Sequence, residues 1–241
     1  MFPEGMVPDI GTQHDRRDRP AVSIVVPVKN ESGNIAPLVT EIAAALAGRP
    51  FEIVYVNDGS TDVTEYELRA LMRDHPWLRQ IRHESSCGQS AAIRTGVAMA
   101  RAELVVTMDG DGQNDPTFIP ALIAAFEAGR PRIGLVAGQR VGRKATWFKR
   151  LQSRVANAIR STILKEGTRD TGCGLKAFRR GVFLALPYFD GLHRFLPALV
   201  RREGLAIGYV EVVDRPRRLR FLGSAVDWHG RSLRRVVAHS P

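Results

Sequence analysis

The sequence predicts an α/β protein with a Rossmann-like, mostly parallel central sheet flanked by helices. Three observations carry this. Short β-branched runs alternate with helical segments from residue 21 to residue 137. The strand candidates are near-continuous apolar runs, as expected where both faces of a sheet are covered. The segments between them are long enough for helical crossovers, which parallel pairing requires.

The elements follow in order. Residues 21–26 (AVSIVV) form a first strand, which Pro27 ends, and residues 35–46 carry apolar residues at helical spacing and stop before Gly48. Residues 51–56 (FEIVYV) are a second strand, and residues 61–74 a polar helix with acids in its first turn. Residues 78–83 are a weaker strand, 90–100 an alanine-rich helix, 103–108 (ELVVTM) a fourth strand, 116–128 a helix and 133–137 a fifth strand. Beyond Gly138 the pattern loosens into a basic helix over 146–165, a short strand over 174–178, a helix over 190–203 and a last strand over 207–213. No linker divides the chain. Residues 1–20 read as a solvated tail without a secretory signal, residues 21–214 as one domain and residues 215–241 as a basic tail.

Composition narrows the function. Two cysteines, Cys87 and Cys173, exclude a disulfide framework and a four-cysteine zinc site, and fit a reducing, cytoplasmic location. No apolar run reaches the roughly 20 residues of a membrane-spanning helix. The net charge of +10 divides unevenly: residues 1–127 carry a balance of −7 and residues 128–241 a balance of +17. A basic half points to a polyanionic partner, and 30 of the 35 basic residues are arginine, whose fork suits phosphate. Nucleic acid is the poorer choice, because the basic half lacks interleaved aromatics and a recognisable module.

In open α/β sheets ligands bind beyond the carboxyl ends of the strands, so the polar residues there are the candidates. Pro27-Val28-Lys29-Asn30-Glu31 follows the first strand and reads either as strand stop and helix cap or as a binding loop. Asn57-Asp58-Gly59-Ser60-Thr61-Asp62 follows the second; it is a capping turn, or it places Asp58 to accept hydrogen bonds from a base or ribose. Met108-Asp109-Gly110-Asp111-Gly112-Gln113 follows the fourth. Two carboxylates one residue apart, with an amide two further on, can converge on a hard divalent cation, magnesium or manganese. A calcium loop of the helix–loop–helix type is excluded, since Asn114 stands at its glycine position and Pro120 at its glutamate. The Gly172-Cys173-Gly174-Leu175-Lys176-Ala177 stretch imitates a dinucleotide fingerprint but follows no strand. Arg140, Lys149, Arg150, Arg154, Arg215 and Arg217 form three basic clusters, of which those at Arg140 and Arg215 follow strand candidates.

These loops, in this order, resemble the inverting GT-A glycosyltransferases of family 2, and among them the polyprenyl-phosphate sugar synthases of the dolichyl-phosphate mannosyltransferase type. The resemblance rests on SIVVPVKNE (23–31), IVYVNDGSTD (53–62), GQSAAIRTG (88–96), VTMDGDGQNDP (106–116), RLQSRVANAI (150–159), DTGCGLKAFR (170–179) and RPR (215–217). It implies a GT-A fold, a nucleotide-sugar donor (GDP-mannose or a UDP-sugar), a polyprenyl phosphate acceptor (undecaprenyl or dolichyl) and a role in cell-envelope glycan synthesis. Carried over, Pro27, Lys29, Asn30, Glu31, Val56, Asp58, Met108, Asp109 and Gly110 line the donor site. Asp109, Asp111 and Gln113 hold Mg2+ or Mn2+. Arg140, Ser153, Arg154, Arg215 and Arg217 meet the phosphates, and Asp109, Asp111, Arg140 and Arg217 carry the reaction. Asp170 lies on the acceptor side.

The chain departs from the pattern at Asn57, at Ser86 and after Arg217, where Gly223-Ser224 is all that corresponds to the usual continuation. An altered tail leaves two other readings: a family 2 transferase with a soluble or glycan acceptor, for which Asp170 is a distant candidate base, and an inactive nucleotide-sugar-binding module. The basic half predicts peripheral attachment to an anionic membrane surface at the cytoplasmic face.

Overall fold

The computed structural model describes residues 19–141 and 172–216. Ser153, Arg154, Asp170, Arg217 and the helix expected over 146–165 lie outside these residues. β1 (Val22–Val28), β2 (Phe51–Asp58), β3 (Leu78–His83), β4 (Leu104–Thr107), β5 (Ile133–Arg140), β6 (Lys176–Arg179) and β7 (Ala206–Val212) form one sheet in the order β3-β2-β1-β4-β6-β5-β7. The helices among the described residues are α1 (Ile35–Ala45), α2 (Thr64–Asp74), α3 (Gln89–Met99), α4 (Ile119–Ala128), α5 (Arg180–Ala185) and α6 (Leu192–Arg202).

Pairing is parallel except around β6, which runs antiparallel to both β4 and β5. That reversal brings the start of β6 to the same sheet edge as the ends of β1, β4, β5 and β7. Strand β1 shows why the fold is layered. Ile24 and Val26 face a core with Ile35, Leu38 and Ile42 of α1, while Val25 faces a second core with Ile93 and Val97 of α3. Both faces are buried, which explains the unbroken apolar runs.

Several boundaries differ from the sequence expectation, β2 running on to Asp58 and β6 beginning only at Lys176; three others have a clear cause. Pro27 does not end β1, which continues to Val28. Pro27 still pairs with Val56 of β2, but the β4 ladder stops at Val25–Thr107, so the missing proline N–H interrupts no bond. Helix α2 begins at Thr64 rather than Thr61, because Asp62 Oδ1 accepts from Thr64 N–H and holds the preceding turn. β5 extends to Arg140 because β7 pairs with it as far as Val212. The short helix α5, directly after β6, has no counterpart in the sequence reading.

Candidate active site

The turn after β4 is built by its own side chains. The Asp109 N–H donates to Asn114 Oδ1 at 2.9 Å, and the Gln113 N–H donates to Asp111 Oδ1 at 3.0 Å. Asp115 caps the following 3-10 turn by accepting from Thr117 N–H, with Pro116 at its first position. The aspartates and amides here therefore satisfy backbone donors as well as facing the cleft. Among the described residues Asp111 has its second carboxylate oxygen uncommitted, and the Gln113 side chain makes no hydrogen bond there.

Asp109 sits where four elements meet. Gln89, the first residue of α3, donates its side-chain N–H to Asp109 Oδ1 at 2.9 Å. Gly174, just before β6, lies against the other oxygen: a Cβ there would stand 2.4 Å from Asp109 Oδ2 and 2.6 Å from Asn114 Oδ1. Loss of water, and then the neighbouring Asp111 charge, push the Asp109 pKa up to about 6, while Lys176 and Arg140 pull it down. Lys176 is buried at the start of β6, paired in register with Thr107 of β4, and its ammonium donates to the Cys173 carbonyl. The result is a confined pair of carboxylates bordered by two cations, whose pull on Asp109 is outweighed by its burial together with the Asp111 charge.

Arg140, at the end of β5, pairs with Asp214 at 3.2 Å. Asn114 Nδ2 lies 3.5 Å from the other Asp214 oxygen, so Asp214 bridges the basic side of the cleft and the β4 turn. Arg215 is placed by its backbone, its N–H donating to the Gln113 carbonyl. Its guanidinium pairs with Glu41 of α1 at 2.7 Å and also meets the Asn114 carbonyl. Arg140 and Arg215 thus flank the aspartate turn, Arg215 with its charge directed toward α1.

The loops after β1 and β2 are laced together. The Asn30 N–H donates to Ser60 Oγ, and Asn30 Oδ1 accepts from Thr61 N–H at 2.8 Å. The Glu31 N–H donates to Thr64 Oγ1, and its carboxylate accepts from Asn34. Asn30 itself has φ +55°, the left-handed region that asparagine tolerates. Pro27 and Gly110 adjoin across the β1–β4 gap, a Gly110 Cβ falling 3.2 Å from the Pro27 carbonyl. Val56 and Met108 are buried, so their side chains belong to the core and only their backbones reach the sheet edge. Lys29 is half-buried just after β1.

Asp58 is fully buried and accepts four hydrogen bonds, from His83 Nδ1 (2.6 Å), Ser86 Oγ (2.7 Å), Cys87 N–H (2.8 Å) and Gly88 N–H (3.0 Å). Burial alone would raise its pKa, but these bonds outweigh it and hold the carboxyl below the usual range. Asp58 therefore fixes the loop that leads into α3. Ligand atoms of Asp58, His83 and Cys87 lie within 4.8 Å of one another. Both Asp58 oxygens are already used and His83 Nδ1 is spent on one of them, so this group is a hydrogen-bonded latch and the oxygen-rich Asp109 turn is the better cation site.

Among the described residues, the loops after β1, β2, β4 and β5 stand at one sheet edge. Gln89, Lys176, Asp214 and the approach of Gly174 were missed as site residues. Gln89 and Lys176 stood inside stretches already noted, and a lone lysine in the short strand GLKAF was the available signal.

Residues 23–186 match the family described as Glycosyl transferase family 2. This chain belongs to that family. The family 2 chain is 37% identical over 183 residues to dodecaprenyl-phosphate galacturonate synthase of Rhizobium johnstonii, covering 74% of this chain and 54% of that protein. It is 34% identical over 181 residues to undecaprenyl-phosphate 4-deoxy-4-formamido-L-arabinose transferase of Edwardsiella ictaluri, covering 74% and 55%. The chain spans about half the length of the curated relatives it matches. Among solved structures, glucosyl-3-phosphoglycerate synthase of Mycobacterium tuberculosis, in complex with Mn2+, UDP and phosphoglyceric acid, superposes with a TM-score of 0.67 at 25% identity, over 84% of this chain and 72% of that one. The family 2 assignment agrees with the GT-A arrangement of the sheet.

Proposed function

We propose that this chain is the catalytic portion, over residues 21–214 with a basic segment after it, of an inverting glycosyltransferase. It transfers a sugar from a nucleoside-diphosphate sugar to a polyprenyl phosphate. The observation that carries the reading is the Asp109–Asp111 turn, crowded enough to raise Asp109 to about 6 and bordered by Lys176 and Arg140. The names of the two relatives, both polyprenyl-phosphate enzymes, support the acceptor. The UDP and Mn2+ in the structural neighbour support the donor class and the metal.

The residues fit a divalent ion: hard oxygen donors, mutually repelling carboxylates and an uncommitted Asp111 oxygen. Asp109, Asp111 and Gln113 would hold Mg2+ or Mn2+, which supplies charge neutralisation for the departing nucleoside diphosphate. Gln89 orients the Asp109 carboxylate. Lys176 offsets part of its charge. Arg140, positioned by Asp214, presents a guanidinium toward phosphate oxygens; the family resemblance gives Ser153, Arg154, Arg215 and Arg217 the same role.

An acceptor phosphate has its second pKa near ~6, so it is largely dianionic at neutral pH and needs no general base. One of its oxygens bonds to the anomeric carbon as the bond from that carbon to the diphosphate oxygen breaks. A single displacement of this kind inverts the anomeric configuration. Positioning of the two phosphates by arginine supplies much of the acceleration. We assign the enzyme to the cytoplasmic face of a membrane, where such an acceptor presents its phosphate.

The test is transfer from radiolabelled UDP- and GDP-sugars to detergent-dispersed polyprenyl phosphate, with Mg2+ or Mn2+. A chloroform-soluble product is expected, and Asp111→Asn should lower its rate by about a hundredfold or more, as loss of a metal ligand does. A water-soluble glycoside instead, or wild-type transfer by Asp111→Asn, overturns the proposal.

A further inference from the structure

Three aromatic side chains on the segment from α5 through the first turn of α6 are left in water. Tyr188 is 48% exposed, Phe189 38% and Phe195 40%. The Phe189 and Phe195 rings are 5.8 Å apart, and beside them in the chain the Tyr188 ring lies under the Arg94 guanidinium of α3, 5.5 Å from the ring centre, with Arg94 also donating to the Leu186 carbonyl. Contiguous exposed aromatic surface is uncommon on a soluble domain and marks an interaction face.

The patch adjoins the cleft. Ser90, next to Gln89, accepts from the Gly191 N–H at 2.9 Å and shares a hydrogen bond with His193 Nδ1 at 2.8 Å. Gly191 takes φ +87° to start α6 at that point. The aromatic segment is therefore pinned to the same end of α3 that holds Asp109.

Charge says what the patch meets. α6 carries three arginines, Arg194, Arg201 and Arg202, and no acid. Arg94 and Arg194 have no carboxylate partner among the described residues, whereas Arg49, Arg79, Arg140 and Arg215 each pair with one. Asp190 is the one acid in the 186–195 stretch. Apolar rings interleaved with uncompensated guanidinium groups suit the interface of an anionic bilayer, where rings sink to headgroup depth and arginines stay with the phosphates.

We propose that Tyr188, Phe189 and Phe195, with Arg94 and Arg194, are the surface by which this protein seats on an anionic lipid bilayer. The proposal rests on the polyprenyl phosphate reading for its purpose, since it would bring the cleft to the membrane plane. It assigns the contact to the face beside α6, apart from the basic segment after β7.

The test uses the full chain and vesicles of phosphatidylglycerol and phosphatidylcholine in equal parts, read by co-sedimentation. Phe189→Ser with Phe195→Ser should weaken binding by about tenfold or more, since each ring returned to water is worth over a factor of ten. Arg94→Gln with Arg194→Gln should weaken binding to these vesicles and leave the weaker binding to pure phosphatidylcholine unchanged. A thermal shift with UDP and Mn2+ equal to wild type shows that each variant is folded. Wild-type vesicle binding by the aromatic variant overturns the proposal. So does a change of sedimentation coefficient with vesicle binding intact, which would make the patch a contact between copies. Lipid-linked product in detergent with unaltered vesicle binding by the variants refutes this surface alone. Loss of vesicle binding without any lipid-linked product refutes the acceptor reading alone.

Discussion

The Gln89 amide donates to the Asp109 carboxylate at 2.9 Å, joining the first turn of α3 to the turn beyond β4. The two residues are 20 positions apart in the chain, and the bond sets which carboxylate oxygen remains available to a ligand. Gln89→Ala should weaken Mn2+ binding by about ten- to a hundredfold, the usual cost of losing a group that orients a ligand. Titration of Mn2+ by electron paramagnetic resonance, with UDP present, measures it. An unchanged affinity would show that Asp109 needs no orienting.

Asp109 also makes stability depend on pH. Its carboxyl sits at about 6 in the folded protein against 3.8 in the unfolded chain. The folded state therefore holds this proton more tightly, and stability falls as pH rises from about 4 through about 6, then levels off. Without divalent ions, Asp109→Asn should melt above wild type at pH 7 and show a smaller difference at pH 4. Melting curves in chelator at the two pH values decide it.

Asp58 acts with the opposite sign. Its carboxyl is held low, so its contribution is present above the unfolded pKa and lost as pH falls through the folded one. Asp58→Ala leaves four donors without their acceptor and should cost about 3 kcal/mol at neutral pH. Urea unfolding checks the magnitude. Because those donors hold the loop leading to Gln89, nucleotide binding should weaken as well.

Glu52 provides a contrast far from the cleft. Buried at the opposite end of the sheet, it accepts from Ser23 Oγ at 2.6 Å, from Arg101 N–H at 2.6 Å and from Arg79 at 2.8 Å. Glu52→Ala leaves the Ser23 hydroxyl and the Arg101 N–H without their acceptor and should destabilise by about 2–4 kcal/mol. Nucleotide affinity of the folded fraction should stay at the wild-type value, measured by calorimetry below the melting transition.

Gly174→Ala tests packing at the site itself. The added carbon would meet Asp109 Oδ2 at 2.4 Å and must displace a carboxylate that Gln89 restrains. Mn2+ affinity should fall at least about tenfold while the melting temperature moves little, since the strain is relieved by turning a side chain at a partly open edge. A variant that binds Mn2+ normally would show that Asp109 rotates freely.

Local pattern was enough to read the alternating strands and helices, the parallel character of the first four strands and the polar loops at their carboxyl ends. These follow from periodicity and turn chemistry, which act over a few residues. Only the tertiary structure decided that β6 inserts antiparallel between β4 and β5. That choice carries Lys176 and Gly174 to Asp109, which Gln89 meets separately from α3. Local reasoning was equally unable to show that Asp58 takes four donors from residues 83–88. The physical reason is range: a side chain's pKa and partners depend on what other strands bring within a few ångströms, and strand order is set by burial across the whole sheet.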